Sequence, residues 1–305
     1  MPREINERKK TILIIGASGF LGNALLNDFS NNYIIFGTYC RNKTKGLLFL
    51  DVRDRQAVFS LLDCVKPDII IQPAAQPWVD FCEKNPCESY AINVQGPYNV
   101  IDWCAKNNVK HLFLSTDYIF DGKEGPYTED AKPNPLNVYG RHKLLVEEYI
   151  QRKLPNLGLI VRTVGVYGWE KWGKNFVANL VKNLQLGKEI IVPNDQDATP
   201  IHVDDLSNAI LALIKNNKHG IYHAAGPKFL SRYEFSLIIA DVFECDKSLI
   251  KGVETKELGQ AADRPRKAGL LTAKIKNEIN VNFKDPYLAL GLMKEKGNPF
   301  AGDNL

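Results

Sequence analysis

The sequence predicts an α/β fold, a doubly wound parallel sheet with a smaller C-terminal lobe, and three observations carry that reading. Short continuous apolar runs alternate with longer segments of helical pattern, as buried parallel strands and their crossover helices require. The first run passes straight into a glycine-spaced turn, Gly16-Ala17-Ser18-Gly19-Phe20-Leu21-Gly22, and then into a helix. At 305 residues the chain is long for one simple core, and its 45% apolar and 24% charged content is that of an ordinary globular protein.

Taken in order, residues 11–15 are apolar and β-branched and form the first strand. Runs at 33–39 and 47–50 form the second and third, the latter closing on Asp51-Val52. Residues 55–66 are helical in pattern until Pro67 stops them, and 68–71 form a fourth strand ending at Pro73-Ala74-Ala75. Residues 88–108 read as one long helix and 111–115 as the fifth strand. After a Pro-, Gly- and acid-rich loop a helix opens at Tyr139, and 157–166 give the sixth strand.

Beyond Trp169 the pattern is less regular. Helices are expected at 176–186, 204–215 and 231–243, the last with Ser231 and Glu234 spaced as a capping box. Residues 190–192 and 220–225 read as extended. The expected division is a dinucleotide-binding part, 1–168 with 203–226 returning to it, and a substrate lobe, 169–202 and 227–305. The last dozen residues are expected to fray.

Composition narrows the function classes. A formal net charge of +4, scattered apart from Arg8-Lys9-Lys10, leaves no nucleic-acid footprint. No apolar run approaches the ~18 residues of a membrane span, and the polar N-terminus is read as carrying no signal peptide. The six cysteines lack C-x-x-C spacing and read as reduced thiols of a cytoplasmic protein rather than a disulfide frame or zinc site. His219 and His223, four apart without an acidic partner, read as structural, and no metal site is assigned.

A Gly-x-x-Gly-x-x-Gly spacing is weak alone, but here it joins a buried strand to a helix. That context suits a pyrophosphate: glycines permit the tight turn and close backbone approach, and the helix N-terminus offers free N–H groups. A plain strand–helix turn is the competing reading. The candidate cofactor residues are Gly16, Ser18, Gly19, Phe20, Leu21, Gly22, Arg41, Asp51, Val52, Ala74 and Ala75. The second strand ends in Tyr39-Cys40-Arg41-Asn42-Lys43, without the acid that would bond a ribose 2′-hydroxyl, whereas Arg41 suits a 2′-phosphate. NADP(H) is therefore preferred and NAD(H) is the second choice.

Tyr-x-x-x-Lys occurs four times, at Tyr39/Lys43, Tyr139/Lys143, Tyr149/Lys153 and Tyr167/Lys171. Only Tyr139/Lys143 opens a helix after a strand-end Thr116-Asp117, and the spacing puts phenol and ammonium on one helix face. The expectation is that the cation lowers the tyrosine pKa from ~10 toward the working range, making Tyr139 a general acid. Thr116 would bond the substrate oxygen and Lys143 the nicotinamide ribose. Asp117 would orient groups or shuttle protons, with a capping role as its plain alternative.

These motifs, with Ser-Thr-Asp-Tyr-Ile-Phe-Asp-Gly at 115–122 and Tyr139-Gly140-Arg141-His142-Lys143, resemble the extended short-chain dehydrogenase/reductases, and among them the dTDP-4-dehydrorhamnose reductases. Val79-Asp80 with Glu83, Arg162-Thr163, Tyr167-Gly168, Asn175-Phe176, Asp195-Gln196 and Arg264-Pro265 extend the resemblance to about residue 270. It implies a Rossmann-like fold and an NADPH-dependent reduction of a nucleotide-diphospho-4-keto-6-deoxy sugar at C4. It also implies a catalytic set of Thr116, Asp117, Tyr139 and Lys143, and substrate contacts from Trp78, Asp80, Tyr167, Asn175, Gln196 and Arg264. Trp78 and the Trp169–Trp172 pair depart from the family pattern by their bulk, and packing between lobes is their plain alternative. Dimers occur in the family and a homodimer is the matching expectation. The sequence leaves a Mg²⁺ requirement open. An epimerase is a competing activity, and a non-catalytic NADP-binding regulatory subunit, like the one of methionine adenosyltransferase, is a competing class.

Overall fold

The computed structural model describes residues 8–170 and 174–297. Seven parallel strands form the central sheet: β1 (Thr11–Ile14), β2 (Ile34–Tyr39), β3 (Leu48–Phe49), β4 (Ile69–Gln72), β5 (Lys110–Thr116), β6 (Gly158–Thr163) and, from later in the chain, β9 (Gly220–His223). Their order is β3-β2-β1-β4-β5-β6-β9. The direction of winding reverses between β1 and β4, which opens a crevice at the carboxyl ends of those strands.

The period-two rule explains the layering. Ile12, Ile14, Ile69, Ile71, Leu112 and Leu114 face α1 (Phe20–Phe29) and α8 (Val203–Lys215), meeting Leu25, Phe29, Leu206 and Ile210. Leu13, Ile15, Ile70, Phe113 and Ile160 face the other way. They meet Val58 and Leu62 of α2 (Arg55–Val65), Cys104 of α5 (Gly96–Asn107), and Val146 and Ile150 of α6 (Val138–Lys153). Because β1, β4 and β5 are buried on both faces, an unbroken apolar run was the right signal for them.

A third core holds the C-terminal layer, where α7 (Phe176–Gln185), α9 (Arg232–Val242) and α10 (Pro286–Glu295) pack through Leu180, Phe235, Ile239 and Leu290. Two small sheets belong to this layer, β7 (Ile190–Pro193) with β11 (Ile250–Val253) and β8 (Asp197–Ala198) with β10 (Leu230–Ser231). The capping box at Ser231 and Glu234 forms as its spacing predicts. Trp169 stands edge-on to Phe243 at 5.6 Å and donates to the Met293 carbonyl, so it serves packing, while Trp172 and Lys171 lie outside the described residues. Of the last dozen residues, expected to fray, Lys294 and Glu295 instead close the final helix, and the last eight lie outside the described residues.

Three expected elements differ. The third strand shortens to Leu48–Phe49 at the sheet edge, where Phe49 is largely exposed. The sixth ends at Thr163 because Gly165 turns the chain away at φ +53. The expected 88–108 helix is interrupted: α4 (Pro86–Tyr90) passes into a wide turn, Ala91–Gln95, before α5. Pro97 has no N–H for the Asn93 carbonyl, and the Gly96 N–H reaches back five residues to the Ala91 carbonyl.

That wide turn has a consequence at the crevice. The buried Asn93 side chain accepts from the Gln76 N–H (2.7 Å) and donates to the Gln76 carbonyl (3.0 Å), clamping the segment after β4. Asn93→Ala leaves the buried Gln76 N–H unpaired and its carbonyl with only the Cys82 thiol as donor (3.5 Å), and is expected to cost about 1–3 kcal/mol, read as a lower urea midpoint at unchanged slope.

Candidate active site

The crevice between β1 and β4 is a cavity of about 450 Å³ lined by every residue expected to hold a dinucleotide, Lys143 apart. Gly16 takes φ +97, and a Cβ there would come within 2.8 Å of Ala74; one on Gly22 would lie 2.2 Å from the Gly16 carbonyl oxygen. Larger residues therefore do not fit the turn. No side chain caps α1 at Gly19, which leaves its first N–H groups facing the cavity for an anion. These features fit a bound pyrophosphate.

Arg53 also lines this cavity and was missed by the sequence reading. Its guanidinium grips the Asp51 carboxylate at 2.6–3.0 Å, and these hydrogen bonds hold Asp51 below the usual carboxylate range. Asp51 thus faces the cavity already neutralised. Arg41 is exposed, its nearest carboxylate being Glu88 at 4.0 Å. The only sequence signal for Arg53 was a base two residues beyond the acid; the turn that folds it back is a tertiary feature.

The catalytic candidates meet where β5 ends against α6. Thr116 donates to Asp117 Oδ1 (3.0 Å) and accepts from the Tyr118 N–H (3.2 Å). Asn137 caps α6 by accepting from the Gly140 N–H at 2.8 Å. Gly140 lets the helix approach: a Cβ there would stand 2.1 Å from the Tyr118 carbonyl oxygen. Lys143 Nζ donates to the Leu114 carbonyl at 2.7 Å and sits 4.4 Å from the Phe113 ring centre and 5.8 Å from that of Tyr139.

Burial sets the protonation states. Desolvation pushes the Tyr139 phenol up, with Cys82, Asp117 and Tyr118 adding to the rise, so the expected depression by Lys143 does not occur. Desolvation is the largest influence at both groups, and it also pushes Lys143 down, to about 8. Tyr139 is therefore held as a neutral proton donor beside an ammonium. Asp117 is pushed up to about 7 by burial, and its Oδ2 has no hydrogen-bond partner among the described residues.

A second cavity, about 360 Å³, is lined by Thr116, Asp117, Tyr139, Tyr167 and Gln196, and it shares Pro77 and Val166 with the first. Lys143 borders neither cavity but lies buried behind Tyr139. Arg232, at the start of α9, enters this cavity with its guanidinium 4.4 Å from the Phe176 ring centre and no ion pair among the described residues. Sequence reading missed it because its only local signal was a place after a cap. Arg232 and Gln196 also line an adjoining hollow that holds Arg264.

The other expected substrate residues are placed differently. Trp78 is 54% exposed and borders neither cavity, although its neighbours Pro77 and Val79 do. Asp80 pairs with Arg264 at 2.6 Å and accepts from the Ala262 N–H, tying α3 (Val79–Lys84) to the C-terminal layer. Asn175 caps α7 and donates to the Gly168 carbonyl at 2.8 Å. Tyr149, of a rejected Tyr-Lys match, stacks on Tyr98 and donates to Asp102. Among the described residues no helix is long and apolar enough to cross a membrane, and no group of three or more metal-ligating side chains forms.

Asp117 makes stability depend on pH. Its folded pKa lies above its unfolded value of 3.8, so its contribution is full below about 4 and is lost as pH rises through about 7. Asp117→Asn removes that dependence. Urea unfolding from about pH 4 to pH 8 is expected to show wild type losing up to about 4 kcal/mol relative to the variant.

Comparison with known proteins places this geometry. Residues 10–293 match the family model described as RmlD substrate binding domain. The chain is 31% identical over 294 residues to the dTDP-4-dehydrorhamnose reductase of Aggregatibacter actinomycetemcomitans, covering 92% of this chain and 96% of that protein. It is also 31% identical to the methionine adenosyltransferase 2 subunit beta of Xenopus tropicalis, over 90% of this chain and 84% of that one. The structure of the Bacillus anthracis dTDP-4-dehydrorhamnose reductase in complex with NADP aligns with a TM-score of 0.86 at 30% identity, over 95% of this chain and 100% of that chain. The chain is a member of the RmlD substrate binding domain family, within the extended short-chain dehydrogenases/reductases.

Proposed function

We propose that the protein is an NADPH-dependent reductase of a nucleotide-diphospho-4-keto-6-deoxy sugar, of the dTDP-4-dehydrorhamnose reductase type. One observation carries the reading: the cavity holding Thr116 and Tyr139 shares walls with the glycine cradle, so a sugar and a dinucleotide can lie against one another. Bound NADPH would supply the hydride for the sugar C4. Its pyrophosphate would rest on Gly16, Gly19 and Gly22 at the head of α1, with Arg41 and Arg53 toward the 2′-phosphate. In this reading residues 1–168 and 203–226 hold the cofactor, and 169–202 and 227–305 the sugar.

Thr116 would turn its one hydroxyl proton from Asp117 to the ketone oxygen and, with Tyr139, fix that oxygen's direction. Tyr139, held neutral by burial, protonates the oxygen as negative charge develops on it. Lys143 has three donors, one used on Leu114, and its charge favours the phenolate left behind. Asp117 lies within reach of Thr116 and supplies a carboxyl that titrates near neutrality. All six cysteines are free, which suits the reducing cytoplasm that we assign to the enzyme.

Two measurements test this. Tyr139→Phe is expected to lower kcat/KM for dTDP-4-dehydro-6-deoxyhexose about 10²–10⁴-fold, followed as loss of NADPH absorbance, with NADPH binding retained. Retained turnover in that variant rejects Tyr139 as the acid. Tight NADPH binding by wild type without any turnover rejects the reductase and favours a role like that of the methionine adenosyltransferase subunit. Arg41→Ala is expected to weaken NADPH binding about tenfold or more while leaving NADH nearly unchanged, by fluorescence titration. Equal losses for both cofactors reject Arg41 as the phosphate ligand.

A further inference from the structure

One helical turn beyond Lys143, α6 carries a second buried charge that touches neither cavity. Glu147 is fully buried, and Arg162 of β6 grips its carboxylate through Nε at 3.1 and 3.2 Å and a terminal nitrogen at 2.7 Å. Arg162 also donates to the Glu129 carbonyl (3.2 Å) and lies 3.4 Å from His223 Nε2. The Glu129 carboxylate in turn accepts from the His223 N–H at 3.0 Å. In register, Arg162 stands beside Ser115 and Thr163 beside Thr116, so this network lies directly under the reactive strand end.

A buried ion pair is weak evidence for stability, since apolar residues of similar volume serve as well or better. What charge alone can do here is act on another charge. Lys143 faces Tyr139 and Glu147 on its own helix, the Cys82 thiol from α3, and the Leu114 carbonyl and Phe113 ring from β5. Asp117 and Tyr118, from the turn after β5, act on Tyr139. Glu83 and Arg141 pair at 3.9 Å at the partly exposed head of α6. His142 is pushed down to about 4 and His223 to about 3 by burial, so both are neutral in the working range. Burial raises the Cys82 pKa, leaving it a thiol. Glu147 is then the negative charge that supports the Lys143 ammonium.

We propose that Glu147 is a positioning residue for the Tyr139–Lys143 pair: through Arg162 it anchors α6 to β6, and its carboxylate is the counter-charge that keeps the buried lysine protonated. The catalytic consequence rests on the reductase reading; the coupling between the two side chains does not. Glu147 is the largest influence opposing the desolvation of Lys143, which supports the geometry.

The test is a pH titration of Lys143 by NMR in protein carrying isotope-labelled lysine, its signal assigned by loss in Lys143→Met. In Glu147→Gln the midpoint is expected to fall by roughly one pH unit, the size expected for unit charges about a helical turn apart in a half-screened interior. The alkaline limb of kcat/KM moves to lower pH by the same amount, because losing the ammonium ends its support of Tyr139. Glu147→Asp, which keeps the charge, restores most of both. Where Glu147→Gln does not fold, Glu147→Leu with Arg162→Met removes both charges and keeps the volume. A merely structural pair predicts wild-type titration in that double variant, and a folded double variant with an unmoved Lys143 midpoint overturns the proposal. A shifted midpoint in a protein with no reductase turnover upholds the coupling and rejects only the reductase reading.

Discussion

The site depends on how closely α6 lies against the end of β5. Gly140 lets the helix backbone meet the Tyr118 carbonyl, Lys143 closes onto the Leu114 carbonyl, and Glu147 locks to Arg162. These three positions recur at helical spacing and form one stripe, the face that α6 turns toward the sheet. With that stripe in contact, Tyr139 has one place to go, the wall of the second cavity beside Thr116. Moving the helix outward by the width of a methyl group would separate the phenol from the strand end and strip the lysine of its carbonyl partner. The glycine at 140 therefore matters as much as the side chains it brings together.

Burial also decides the chemistry. A phenol next to an ammonium suggests a depressed pKa, and in water-accessible surroundings attraction would win. Here both groups are out of solvent, 5.8 Å apart from ammonium to ring centre, and the cost of desolvating charge is the largest influence on each. The outcome suits reduction, which needs a donor that keeps its proton until an oxyanion forms. Asp117, raised to about 7, and Lys143, lowered to about 8, change charge near neutrality, while Tyr139 keeps its proton.

Much of this was legible in the chain. Continuous β-branched runs, helices between them, and glycines at 16, 19 and 22 point to the sheet and its crevice because those patterns answer local demands: two-sided burial, crossover length, backbone clearance. Local context also separated Tyr139/Lys143 from the other matching pairs, and Tyr149 does serve packing. Less legible were residues whose role depends on a distant partner. Asp80 meets Arg264 across 184 positions, and Asn93 meets Gln76 through a turn that Pro97 disturbs. Arg53 and Arg232 reach the cavities by loop and helix directions with no sequence period.

The sequence by itself determined the α/β layering, the glycine-spaced turn and the place of Tyr139 and Lys143 on one face of a helix that follows a strand end, because each is written in spacing along one strand, turn or helix. The tertiary structure alone decided which charges survive. Protonation depends on how much solvent a side chain keeps and which groups face it from other strands and helices, and for Tyr139, Lys143 and Asp117 those neighbours include groups from segments far apart in the chain.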